Sequence, residues 1–154
     1  MIYCLVEGKV DPCVKTDDKE KHTSLHLACN HTNWNKDVVK KLIDVGSGKN
    51  ILEIPNGLKR ETVLAIACQK NQQGLVSLLL ECKADANTTD GNDCAILEIV
   101  ILQKLDIIAE LLLKHADAKL ECNRNCLPIL CSRDILKMNL IRKLISGGSN
   151  VEIV

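Results

Sequence analysis

Aromatic residues are nearly missing from this chain, which has no Phe, one Tyr (Tyr3) and one Trp (Trp34). That shortage excludes a base-stacking surface for single-stranded nucleic acid and an aromatic cage for a quaternary cation. An excess of either charge is missing too: 20 Lys and Arg face 20 Asp and Glu, for a formal net charge of zero. A general nucleic-acid binder normally carries a basic surplus, so no nucleic-acid partner is expected. No apolar run extends over the roughly eighteen residues of a membrane span, and no membrane insertion is expected. The opening Met1-Ile2-Tyr3-Cys4 lacks the basic-then-apolar pattern of a secretory leader.

What remains is 154 residues, 46% of them apolar, enough for one domain whose core is Leu, Ile, Val, Ala and Cys. Nine cysteines are many for this size, and the number is odd. A disulfide-stapled secreted domain is usually shorter and even in its count. Most of these cysteines fall inside helix-like apolar runs such as Leu27-Ala28-Cys29 and Ile66-Ala67-Cys68, where a thiol behaves as a small buried hydrophobe. The expectation is a reduced protein of the cytoplasm or nucleus.

The chain repeats. Thr62-Val63-Leu64-Ala65-Ile66-Ala67-Cys68 lies over Ala95-Ile96-Leu97-Glu98-Ile99-Val100-Ile101 at an offset of 33 residues. Leu78-Leu79-Leu80 falls on Leu111-Leu112-Leu113 at the same offset, and Ala84-Asp85-Ala86-Asn87 on Ala116-Asp117-Ala118-Lys119 at 32. Backwards, Thr23-Ser24-Leu25-His26-Leu27-Ala28-Cys29 matches the Thr62 segment at 39. Leu127-Pro128-Ile129-Leu130 opens another unit. Each unit reads as two short helices and a polar turn: Val63 to Lys70, a break at Gln72-Gln73-Gly74, Leu75 to Leu80, then Asn87 to Asp93. Helices this short are marginal alone and persist by burying their faces on neighbouring units, so a solenoid is predicted.

Thr23-Ser24-Leu25-His26-Leu27-Ala28 resembles the Thr-Pro-Leu-His-x-Ala signature of the ankyrin repeat, with Ser for Pro. Ala84-Asp85-Ala86-Asn87 is similar to that family's approach to its hairpin, and Leu78-Leu79-Leu80-Glu81 to the end of its second helix. The resemblance covers residues 2 to 154 and implies an all-α, ankyrin-like helical solenoid with short β-hairpin turns. A partial unit (1–22) precedes four units at 23–61, 62–94, 95–126 and 127–154, forming a single repeat domain. The unit from Thr23 is longer by six residues, placed as two near Asn33-Trp34 and four across Gly46 to Pro55. Later units have Ala95 and Leu127 where the family has a capping Thr, so Asp93 and Asn125 are expected to substitute as caps. Residues 2 to 14 look like a second-helix tail, and Asn150 to Val154 like the opening of a further hairpin, so both ends look cut from a longer array.

The signature histidine, His26, is expected to bond the Thr23 hydroxyl and brace the helix start, while His22 and His31 flank it as surface residues. His115 ends a second helix, where a cation suits the dipole. No histidines show the i, i+4 spacing of a zinc protease. Cys122, Cys126 and Cys131 lack the paired short spacing of a metal site, so no metal or cofactor is expected. Gly46-Ser47-Gly48-Lys49 lacks the spacing of a phosphate loop and reads as a helix end whose Gly takes a left-handed conformation. Carboxylates are scattered, which suggests no acid/base pair. Asn87 stands at the hairpin asparagine position that some members of the family have hydroxylated.

By the resemblance, the function is non-catalytic recognition of a partner protein or peptide by a monomeric module. The family binds through its hairpin tips and the exposed face of its first helices. In this sequence the tips map to Lys19, Glu20, His22, Lys59, Glu61, Asn92, Asn123 and Arg124. The helix face maps to Asn30, His31, Gln69, Lys70, Gln103 and Asp134. Trp34 has two readings: an exposed interface anchor, or a cover over the inter-helix loop that shields Val38 or Leu42. Two further functional readings stand beside this one. The repeats could serve as a structural or regulatory segment of a larger enzyme or channel, or Cys122, Cys126 and Cys131 could form a thiol sensor.

Overall fold

The computed structural model describes residues 11–57, 59–92 and 94–115. Within them six α-helices alternate with turns: α1 (Ser24–Asn30), α2 (Lys36–Gly46), α3 (Val63–Gln69), α4 (Gln73–Glu81), α5 (Ile96–Leu102) and α6 (Asp106–His115). Each odd helix packs on the even helix that follows it. The odd helices α1, α3 and α5 also pack on one another in sequence, and α4 packs on α6. The molecule is therefore an all-α array of helix pairs, as the repeat pattern predicts. The candidate residues Asn123, Arg124 and Asp134, the cysteines 122, 126 and 131, the caps Asp93 and Asn125, and the unit from Leu127 lie outside the described residues.

The apolar periodicity explains the stacking. Helix α3 (Val63–Gln69) is seven residues long, and Val63 to Cys68 are all buried, because its pair α4 and both neighbouring odd helices cover it. A helix apolar all round is stable only in the middle of a stack. Its end and that of α5 close in the same way. Asn71 and Lys104 adopt φ of 54° and 60°, and Gln72 and Leu105 N–H donate back to the carbonyls of Ala67 and Val100 at 3.0 and 2.8 Å. This left-handed closure satisfies carbonyls that a helix end leaves open.

The long connection after α2 departs from expectation. Gly46 is the last residue of the helix with φ −89°, and the left-handed residue is Asn50 at φ 52°. Glycine at 46 answers crowding rather than a turn: a Cβ there would meet the Ile51 side chain at 2.8 Å. Ile51 and Leu52, in a 3-10 turn (Ile51–Glu53), are buried against α2 and α3, so the extra residues plug the space between the first two pairs. Ala95 is the N-cap of α5 and its own side chain makes no cap; the Ile96 N–H finds the Thr88 carbonyl at 3.0 Å.

The turns between pairs are hairpins stripped to a minimum. Thr89 and Ala95 form an isolated antiparallel bridge, and the Asp90 N–H donates to the Cys94 carbonyl at 2.9 Å. The two earlier hairpins close through Thr16 N–H to the His22 carbonyl at 2.8 Å and Asn56 N–H to the Glu61 carbonyl at 2.9 Å. Successive tips lie in contact. Gly57 N–H donates to the Glu20 carbonyl at 2.6 Å, and a Cβ on Gly91 would sit 1.9 Å from the Lys59 carbonyl oxygen. Backbone cannot retreat as a side chain would, so position 91 admits only glycine. Gly91→Ala should destabilise the protein by about 1–3 kcal/mol, read as a fall in the urea midpoint. Gly48→Ala, where a Cβ meets nothing within 4 Å, should leave the midpoint within about 0.5 kcal/mol of wild type; equal losses at the two sites would disprove the tip contact.

Candidate functional site

Where the first two tips meet the inner helices lies a pocket of about 250 Å³ lined by Glu20, His22, Asn30, Asn56, Lys59, Glu61, Ile66, Gln69 and Lys70. All but Asn56 and Ile66 are residues the sequence register assigns to partner contact. Two hairpins, the end of α1 and the length of α3 supply them, so the pocket exists only when the two pairs stack.

Its frame is a chain of hydrogen bonds through His26 and Glu61. The ring of His26 is fully buried and its Nε2 lies 3.2 Å from the Glu61 carbonyl oxygen. A carbonyl can only accept, so Nε2 carries the proton and Nδ1 is the acceptor. Nδ1 then takes the Thr23 hydroxyl at 2.7 Å and the Thr23 N–H at 3.3 Å. The Thr23 hydroxyl in turn accepts from the His26 N–H at 3.4 Å, a reciprocal cap on α1. One ring thus braces its own helix, as the signature resemblance implies, and also ties the first pair to the second hairpin. Desolvation holds its pKa down to about 4 from 6.5, with the nearby His22 and Lys15 acting the same way and the Glu61 carbonyl opposing.

Glu61, a tip candidate by register, is buried, 8% exposed. Its N–H donates to Asn56 Oδ1 at 2.9 Å. Its carboxylate accepts from Gln69 Nε2 at 3.0 Å and from Asn56 Nδ2 at 3.4 Å. These two amides draw the side chain inward to the pocket floor. Sequence reasoning overlooked Asn56, whose position six residues before Thr62 matches no signature residue; an Asn five residues before an acidic residue in a short hairpin is the signal that could have found it.

His22 is also buried, against its expected place on the surface. Its N–H is held by Thr16 Oγ1 at 3.0 Å, and its ring lies tilted beside that of His26 with centroids 5.7 Å apart. The carboxylate of Glu20 reaches to 3.4 Å from Nδ1. The remaining candidates are exposed or partly so. Lys19, Glu20, Lys59 and Asn92 stand at the tips, and Asn30, His31, Lys70 and Gln103 at the ends of α1, α3 and α5. The Lys70 ammonium donates to the carbonyl of Asn30 at 3.0 Å and to its Oδ1. Gln72 Nε2 donates to the His31 carbonyl at 3.3 Å. Asn92 and Gln103 lie beyond the pocket, toward the third pair.

Trp34 is partly buried against the core. A Cβ on Gly74, in the first turn of α4, would lie 3.4 Å from its ring. The indole covers a seam between the first and second pairs, which favours the covering reading over the exposed anchor. Asn35, next to it, caps α2 with its Oδ1 accepting the N–H groups of Asp37 and Val38 at 2.9 and 3.2 Å, a role that accounts for part of that loop's polarity.

The cysteines at the shared register position, Cys29 and Cys68, are buried, and burial pushes both thiols up to about 12. Cys13, Cys82 and Cys94 are free thiols and partly exposed. Among the described residues no His, Cys, Asp and Glu side chains gather into a metal site, and no helix is long and apolar enough to cross a membrane.

The sequence matches the family described as ankyrin repeats (3 copies), over residues 1–90 and again over residues 25–126. The comparison with curated proteins gives no match.

The bridge through His26 has a measurable consequence. The folded protein keeps the ring neutral down to about pH 4, whereas in the unfolded chain it takes up a proton near the ordinary value of about 6.5. Below that value the unfolded state binds the extra proton, so stability falls as pH drops from about 6.5 to about 4, by about 3 kcal/mol in all. His26→Gln should show a shallower fall across this window, measured by urea midpoints at successive pH values. Parallel curves for the two proteins would refute the neutral bridge.

Proposed function

The chain belongs to the ankyrin repeat family, and we propose that it is a non-catalytic interaction module that binds a protein or peptide with its hairpin tips and inner helix face. Ankyrin repeats are generally protein-binding modules, and only ankyrin repeats are recognised in the sequence. The single observation that carries the binding mode is the pocket between the first two tips. It is lined by Glu20, Asn30, Lys59, Gln69 and Lys70, the same side chains that repeat register selects without reference to structure. Its walls carry both signs of charge and several amides, a surface suited to polar and charged groups of a folded protein or peptide rather than to a polyanion. The module works as a monomer in a reducing compartment; the unpaired thiols of Cys13, Cys29, Cys68, Cys82 and Cys94 support that compartment.

The test is capture on the immobilised full chain, followed by identification and titration of the captured protein. Glu20→Lys reverses an exposed charge at the pocket edge and should weaken binding by about tenfold or more. Lys41→Glu, an exposed position on α2 in the outer row, should leave it within about twofold. Equal losses from the two reversals would place the contact elsewhere and end this reading.

A further inference from the structure

Glu61 is the anomaly of the pocket. It is a carboxylate more than nine-tenths buried, and the two side chains that hydrogen-bond it are neutral amides, Asn56 and Gln69. Among the described residues no cation lies within ion-pair distance of it. A buried charge of this kind is costly unless an opposite charge completes it. Each carboxylate oxygen accepts one amide, Oε1 from Gln69 and Oε2 from Asn56, which leaves one acceptor site on each. An acceptor site on each of the two oxygens suits the planar fork of a guanidinium better than the point charge of an ammonium.

We infer that the Glu61 pocket seats an arginine side chain of the protein or peptide partner, paired with the Glu61 carboxylate on the pocket floor. This rests on the interaction-module reading above and names the chemistry that such a partner must present. The rest of the lining fits the same occupant. Ile66 offers an apolar wall for the methylene stem, and Glu20 adds a second carboxylate at the exposed edge. Of the two lysines in the lining, Lys70 points its ammonium at Asn30, where a carbonyl and a side-chain oxygen hold it. Lys59 stands exposed on the tip and is the cation that opposes the incoming charge.

The experiment is an NMR titration of the full chain with a short blocked peptide carrying one Arg, against the same peptide with citrulline or with Lys. Citrulline keeps the shape and removes the charge and the fork. The side-chain amide signals of Asn56 and Gln69 report occupancy directly. The Arg peptide should shift them with a dissociation constant in the millimolar range, as suits a single side chain, and bind at least about tenfold more tightly than the citrulline peptide. Lys should fall between. Glu61→Gln should abolish the preference for Arg. Because that variant could lose its fold, Lys59→Ala provides a surface change that spares it, and it should bind the Arg peptide at least as tightly as wild type. No shift of the two amides, equal shifts with citrulline, or weaker binding by Lys59→Ala would overturn the assignment. Capture of a protein partner that Glu20→Lys weakens, combined with no Arg-dependent shift, sinks this inference and leaves the interaction module standing. Arg-selective binding with a captured partner indifferent to Glu20→Lys supports the pocket and sinks the broader reading.

Discussion

The hydrogen bond from a neutral histidine to the backbone of the next hairpin sets the order of this structure. His26 Nε2 and the Glu61 carbonyl, 3.2 Å apart, join a first-helix side chain to a tip 35 positions later in the chain. Isolated seven-residue helices have little stability of their own, so such ties determine whether the pairs stack. The tie changes along the array. At the position of His26 the second pair has Ala65, and there the hydroxyls of Thr62 and Thr88, 3.0 Å apart, link one pair to the next hairpin. At the third pair the threonine position holds Ala95, whose own side chain makes no cap. Among the described residues the third pair is held by apolar burial, with Ile96, Leu97, Val100, Ile108 and Leu112 all buried.

The pocket follows from the same arrangement. Asn56 uses its backbone N–H, its Oδ1 and its Nδ2 on Glu61, which turns the carboxylate inward. The tip of that hairpin meanwhile presses on the one before it through Gly57. Tips in contact and a carboxylate drawn below them leave a recess with Glu61 buried at its floor and exposed side chains at its rim. Pairwise stacking makes such a site a property of two neighbours, so loss of stacking and loss of the site are the same event.

Much of this was legible in the sequence because repetition exposes geometry. A signature residue that recurs at the same register must meet similar surroundings, which is why helix pairs, buried Cys29 and Cys68, the cap at Thr23 and most of the pocket lining could be read directly. Depth at a tip could not. His22, Glu61 and Cys94 share one register position, yet the first two are buried and the third partly exposed, since their burial is set by the partners Thr16, Asn56 and Gln69 and not by the repeat. Insertions were equally opaque. The run from Gly46 to Pro55 reads as turn chemistry, but Ile51 and Leu52 make it a plug whose position depends on α3, an element still to come in the chain.

The placement of Trp34 bears on what kind of recognition the proposed surface has to offer. Interfaces commonly draw their central energy from buried aromatic residues, and this chain has two aromatics in all, Tyr3 outside the described residues and Trp34 inside them. With the indole laid against Gly74 and the core, its apolar area is already partly used in holding the first two pairs together. The pocket edge then has carboxylates, ammonium groups and amides to offer, with Ile66 as its apolar component. Contacts of that chemistry give modest energy at exposed sites and more where a charge is desolvated and fully bonded. Among the acidic and lysine side chains of the pocket, Glu20, Lys59 and Lys70 are exposed and Glu61 is buried. On the proposed binding mode, the energetic centre of recognition falls on that buried carboxylate, and selectivity would come from matching its geometry rather than from apolar area.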